Sequence, residues 1–364
     1  MKSTIPTKAL YLLSIILLFS TCIQKVSDGA IYFTEKDLPK AIDLKGVKYS
    51  FPQIINPIGV FLKDGKAIVF ERKSLTNDKF HIIDLKTEMY IQSKGVDGLG
   101  PGEITVISKI ENSGDGDKIW TYDPEQRVFS KFNLGDTSKL AEEQFRAPET
   151  ASYITEVVWT SDTTLLGNAV DGWTKYLHLS NSGDTLALFS DWKDMTKGKE
   201  FPRGLKANDM DANLVSNVFQ GPLRASLDKR HFVKIGKSVD YLDVIDIQNQ
   251  QVKTIYGPTQ EIQDFKISLW DGYQMPVFSN ERTTRYSDAF AEKNSFYALF
   301  RGKPYRELSD PDNLNRIFEF DYDGNILNQY QLDYPIFGFA VDEENKAIYG
   351  LTVDREPNLV RFDY

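Results

Sequence analysis

One short strand comes back six times along this chain. Each copy alternates apolar and polar residues and stops on a small polar residue, at Asp84, Asn133, Ser180, Asp246, Asp321 and Asp363. The steps between these stops are 49, 47, 66, 75 and 42 residues. Ahead of most copies stands an aromatic-rich strand, as at 67–70, 118–122, 295–300 and 346–349. Behind them come a turn and a further strand, as at 89–91, 185–188, 252–256 and 326–330. Four strands per unit, six units and a basic period of 42–49 residues point to an all-β, six-bladed β-propeller. Each such unit buries its apolar faces only against its neighbours, so the units must stack around a ring. Two β-sandwich domains of about 170 residues would need no such repeat.

Turn-forming residues separate the strands, at 63–66, 113–117, 181–184 and 323–325. Their Gly and Asn residues accept the positive φ that tight hairpins demand. The long steps place insertions at 191–214, 257–283 and 302–313. Short helical turns are expected at 138–145 and 191–195, and no amphipathic helix exceeds about three turns. The sixth unit ends at Tyr364 on its third strand. Its fourth strand must therefore come from the other end of the chain, where 31–33 and 41–44 are strand-like. Closure of the last blade by an N-terminal strand removes an exposed edge. Residues 31–364 then form a single propeller domain.

The first 21 residues read as an export signal. Lys2 and Lys8 precede an apolar run of eleven residues from Ala9 to Phe19. A membrane-spanning helix needs about 20. Ser20 and Thr21 follow, and then Cys22, the only cysteine. The F-S-T-C arrangement resembles the lipobox of bacterial lipoproteins, although Phe19 stands where Leu, Val or Ile is usual. The resemblance implies cleavage before Cys22 and acylation of its thiol, with residues 22–30 as a tether. An ordinary signal peptide with an incidental cysteine, or a short N-terminal anchor, is the alternative. Two or three acyl chains hold a protein stably on a membrane, where one does not. The expected address is the bacterial cell envelope, at the outer membrane, with the leaflet open. With 43 Lys+Arg against 52 Asp+Glu the chain carries −9. An acidic chain without a basic tract is a poor partner for nucleic acid.

Gly95, Gly98, Gly100, Pro101, Gly102 and Glu103 form a G-x-G-P-G-E segment after the first unit. Gly98, Gly100, Pro101 and Gly102 would set a sharp turn between an outer strand and the next inner strand. Glu103 would accept hydrogen bonds from that turn, or with its free amides border a ligand site. This segment, between two propeller units and after a lipobox, resembles the TolB-like or NHL-like six-bladed propeller lipoproteins of Bacteroidetes. The resemblance implies a fold and an envelope location far more than an activity. The chain departs from it in lacking a run of NHL-type blade signatures and in carrying long insertions.

The usual catalytic signatures are missing: there is no H-E-x-x-H, G-x-S-x-G or P-loop. The histidines are His81, His178 and His231. The first two occupy equivalent positions in their units, which repeat geometry explains better than metal binding. Asp209-x-Asp211-x-Asn213 starts like a calcium loop, but Leu214 stands where Gly is required and Gln220 where Glu is. Neither metal nor cofactor is expected. Trp120 and Trp159 fall in strands and belong to the core. Trp173, Trp270 and Tyr273 fall on loops beside Asp and Gly, where rings stack on sugars, anchor a protein partner or close over apolar clusters. The candidate binding residues are Glu103, Trp173, Trp270, Tyr273 and Arg285, gathered at one mouth. The competing reading pairs the arginine with a nearby acid such as Asp288. The expected function is a lipid-anchored envelope propeller acting as a non-catalytic binding or scaffold module for a protein or glycan partner. The alternative is an envelope hydrolase or lyase using carboxylates at the mouth of the central channel.

Overall fold

A computed structural model describes residues 24–25, 29–71, 78–307, 310 and 315–364. The signal segment and Cys22 lie outside the described residues. Four short strands come first: β1 (Gln24–Lys25), β2 (Ile31–Tyr32), β3 (Ile42–Leu44) and β4 (Gly46–Lys48). Blade 1 holds β5 (Pro57–Lys63), β6 (Lys66–Glu71), β7 (Asp78–Asp84) and β8 (Met89–Val96). Blade 2 holds β9 (Lys109–Asn112), β10 (Lys118–Asp123), β11 (Val128–Asn133) and β12 (Glu143–Arg146). Blade 3 holds β13 (Ile154–Trp159), β14 (Thr164–Ala169), β15 (Thr174–Ser180) and β16 (Thr185–Asp191). A short helix, α1 (Ala212–Val218), precedes blade 4, which holds β17 (Leu223–Ala225), β18 (Phe232–Ile235), β19 (Tyr241–Asp246) and β20 (Gln251–Tyr256). The hairpin of β21 (Phe265–Trp270) and β22 (Tyr273–Phe278) stands apart as its own two-stranded sheet. Blade 5 holds β23 (Thr283–Ala291), β24 (Ser295–Pro304), β25 (Arg316–Asp321) and β26 (Ile326–Leu332). Blade 6 holds β27 (Ile336–Asp342), β28 (Ala347–Thr352) and β29 (Leu359–Asp363). The protein is an all-β, six-bladed propeller.

The six recurring strands are β7, β11, β15, β19, β25 and β29, and each ends on the polar residue that marks it in the sequence. Local hydrogen bonding explains most of those stops. The Asp84 carboxylate accepts the N–H groups of Lys86 and Thr87, at 3.0 and 2.7 Å. Asn133 accepts from Gly135, Asp246 from Asn249 and Asp321 from Asn325. The side chain offers the backbone a turn in place of another rung of the ladder, so the strand ends there. Inside the blades both sheet faces are covered. Ala67, Ile68 and Val69 on β6 are all fully buried, because neighbouring blades pack on either side.

Closure uses three residues beyond the strand-like stretches. β4 pairs antiparallel with β29, Val360 opposite Lys48 and Phe362 opposite Gly46. The stretches at 31–33 and 41–44 contain β2 and β3, which run parallel along the outer strands of blades 4 and 5. Gly46 suits the closing position: a Cβ there would come within 2.7–2.8 Å of the Val360, Phe362 and Tyr334 side chains. The Asp333 carboxylate accepts its N–H at 2.8 Å. The N-terminal segment thus straps three blades together. The helical turn expected at 138–145 is instead the approach to β12, an outer strand, whereas 192–196 does form a 3-10 turn. Among the described residues no helix is long and apolar enough to cross a membrane.

Candidate functional site: the central channel and the hairpin above it

Every blade runs from an inner first strand to an outer last strand. The links from one blade's last strand to the next blade's first strand therefore all open on one face of the ring. That face carries the G-x-G-P-G-E turn between blades 1 and 2, and the two insertions that flank blade 4. The first strands line a central cavity of about 440 Å³, with Val60, Ile110, Val158, Leu223, Phe290 and Phe339 each coming from a different blade.

Charged residues share this wall. Lys109 pairs with Glu156 at 3.0 Å, and Arg224 with Asp288 at 2.7 Å. Lys109 and Glu111 sit two apart on β9 and both line the channel. Glu111 is only 9% exposed. One of its oxygens accepts the Trp159 backbone N–H at 3.0 Å, and the other has no partner among the described residues. Burial pushes its pKa up, opposed by the positive charge of Lys109. The carboxylates of Glu156 and Asp288 are each held by a cation.

A second cavity of about 410 Å³ lies under the hairpin, lined by Lys237, Arg282, Arg301, Met275 and Phe278 among others. It shares Lys237, Ser287 and Phe337 with the channel, so the two adjoin each other. The hairpin is held by α1. Asp211 caps that helix, accepting the Leu214 N–H at 2.7 Å, and its other oxygen accepts the Gln274 N–H at 3.1 Å. The Asn213 amide donates to the Gln274 carbonyl at 3.1 Å. The calcium-like D-x-D-x-N run is therefore a helix cap and a clasp for the hairpin. Among the described residues no cluster of three His, Cys, Asp or Glu side chains is placed to hold a metal ion.

At the hairpin tip, Asp271 and Gly272 take φ of 50° and 86°, the left-handed pair that a two-residue hairpin turn requires. Trp270 faces Tyr273 across it. Leu269, Trp270 and Tyr273 are 72%, 75% and 49% exposed. These are the two candidate aromatic residues that the structure brings together. Trp173 is half-buried against the apolar cluster around Trp192, with the Lys193 ammonium 4.9 Å above its ring. Glu103 lies on the same face but on the opposite side of the ring. Its carboxylate accepts the Gly100 N–H at 2.7 Å, and a Cβ on Gly98 would meet the same oxygen at 2.0 Å. Gly102 donates to the Gln144 side chain at 2.8 Å, which ties the turn to β12. Pro101 and these glycines shape a turn that locks blade 1 to blade 2.

Arg285 is buried at 7% exposure and turned into the blade, donating to the Thr259 hydroxyl at 3.2 Å. Asp288 pairs with Arg224, not with Arg285, and the exposed arginine at the mouth is Arg282. The histidines make structural contacts: His81 with Tyr90 at 3.1 Å, His178 with Thr160 at 3.2 Å, and His231 stacked on Tyr322 at 3.7 Å. The sequence reading missed Lys109, Glu111, Glu156, Arg224 and Lys237. The available signal was the two-residue spacing of Lys109 and Glu111 on an inner strand.

The comparisons agree with this architecture. A family model described as TolB-like 6-blade propeller-like matches residues 33–344. An exported protein of Bacteroides fragilis superposes with a TM-score of 0.54 at 12% identity, over 91% of this chain and 98% of that one. A DUF4221 family member from Bacteroides vulgatus superposes with a TM-score of 0.53 at 11% identity, over 89% and 96%. No functionally curated protein matches the sequence. Six blades, an N-terminal closing strand and a family match spanning most of the ring place this chain in the TolB-like six-bladed propeller family.

Proposed function

We propose that this chain is an exported, lipid-anchored envelope module that binds a protein or glycan partner without chemistry of its own. The observation that carries the reading is the exposed Trp270–Tyr273 pair on a hairpin clasped by α1, raised above the ring. Rigid aromatic residues contribute large contact area at low entropic cost, and they dominate many interfaces. Trp173 and Arg285 brace the insertion layer from below, and Glu103 holds a turn elsewhere on the same face. Export is supported by the signal segment and by the similarity to the exported protein of Bacteroides fragilis. Acylation of Cys22 supplies the anchor, and the outer membrane is the surface it suits.

The test uses the mature protein, immobilised and titrated with soluble envelope polysaccharides and with envelope protein fractions. Replacing both Trp270 and Tyr273 with Ala should weaken binding by about tenfold or more, since two anchor rings are lost. The melting temperature should stay within about a degree, because both rings are exposed. Unchanged binding by the double variant refutes the hairpin as the docking element. Cys22→Ser should move the protein out of the membrane fraction, and its retention there refutes the anchor.

A further inference from the structure

We propose that the central channel, with the cavity that adjoins it under the hairpin, is a binding site for a small organic anion with an apolar, aromatic-sized body. This site is distinct from the hairpin tip. Four cations line the channel, Lys109, Arg224, Lys229 and Lys237. Among the described residues three acids line the channel: Glu111, Glu156 and Asp288. The protein as a whole carries −9, so this cationic excess runs against the sign of the molecule. Two of the acids already hold Lys109 and Arg224 in ion pairs. Lys229 and Lys237 make no ion pair among the described residues. A cleft with low-dielectric walls focuses such charge and raises the local concentration of the opposite ion.

The walls define the rest of the ligand. Phe61, Phe70, Phe290, Phe337 and Phe339 line the channel, alongside Val60 and Ile110. Cavities of about 440 and 410 Å³ that meet at Lys237 fall in the range used for small-molecule sites. The apolar body packs among the phenylalanines, and the anionic group meets Lys237 at the mouth. Glu111, more than nine-tenths buried on the wall, keeps one oxygen without a partner. A ligand hydroxyl or amine at its level supplies that hydrogen bond. An unmade bond at a buried group is costly, so this contact selects for a donor on the ligand.

The probe for the test is 1-anilinonaphthalene-8-sulfonate, an aromatic sulfonate that carries an N–H donor. Titration into the mature protein should give saturable binding of one equivalent, followed by fluorescence. Lys237 is exposed, so Lys237→Glu should leave the melting curve intact while weakening the probe by about tenfold or more. Ala225→Trp narrows the channel from β17 and should abolish binding. Replacing Trp270 and Tyr273 with Ala should leave the probe affinity unchanged, which separates this site from partner docking. Non-saturating binding, or an affinity that both channel variants leave within twofold, overturns the site. Loss of the probe in the hairpin double variant also overturns it, by placing the dye on the tip.

Discussion

Lys234 shows how far one residue can run against its surroundings. It sits on β18 between Val233 and Ile235, fully buried, with its ammonium donating to the Gly221 carbonyl at 3.0 Å. Burial pushes its pKa down to about 7, and the neighbouring charge of Lys175 adds to the effect. Between about pH 7 and the usual lysine range near 10.5, the unfolded chain holds a proton that the folded chain does not. Stability therefore rises with pH across that window. Lys234→Met should stabilise the protein at pH 7 by about 1–3 kcal/mol, because an apolar side chain of similar length needs no desolvation. The variant should also lose the stability gain between pH 7 and 9.5 in urea unfolding. A variant that keeps the parental pH slope would show that Lys234 is not its source. Asp240 has the opposite sign in a lower window: burial raises its pKa to about 6, so its contribution falls as pH rises from about 4 to 6. The two groups are therefore separable by pH alone.

Among the elements, the hairpin of β21 and β22 depends on a residue outside itself. Asp211 caps α1 and accepts the Gln274 N–H, so one carboxylate joins both insertions. Asp211→Ala should cost about 1 kcal/mol, the usual worth of an N-cap, and should loosen the hairpin more than the ring. Limited proteolysis should then cut within 265–278 several times faster, while the main melting transition moves little. Equal cleavage rates in both proteins would show that the apolar root at Phe265 and Phe278 holds the hairpin alone. The contrast between readable and unreadable elements is also local. The Asp and Asn stops of the third strands declare themselves because the side chain bonds a backbone two to four residues away. β12 does not, because its four residues Glu143–Arg146 are mostly exposed and show no apolar alternation.

At the scale of the whole molecule, the N-terminal strap decides whether the ring is closed. β2, β3 and β4 add to blades 4, 5 and 6 in turn. The strap buries Ile31, Phe33 and Leu44, and Glu35 grips Arg316 through two bonds of 2.7 Å. Each buried apolar side chain is worth about 1.5–3 kcal/mol, and the outer edge of blade 6 would otherwise be open. A chain starting at Tyr49 should lose several kcal/mol and aggregate through that edge, whereas one starting at Gly29 should melt like the mature protein. An unchanged melting transition in the shorter chain would mean that the other contacts of blade 6 hold the ring without the strap.

The number of blades, the ends of their third strands, the sites of the insertions and the need for an N-terminal closing strand all follow from the amino-acid sequence. Each is written in neighbours a few residues apart or in a spacing repeated along the chain. Which three residues close the ring required the fold, since Ile31–Tyr32, Ile42–Leu44 and Gly46–Lys48 are all short strands and only packing against Val360 and Phe362 selects Gly46–Lys48. The channel chemistry required it too. Lys109 and Glu156 are 47 residues apart, and Arg224 and Asp288 are 64 apart. These pairs bridge the inner strands of neighbouring blades, and the spacing of the repeat does not say which side chains meet there. Closing the ring is what brings those charges together.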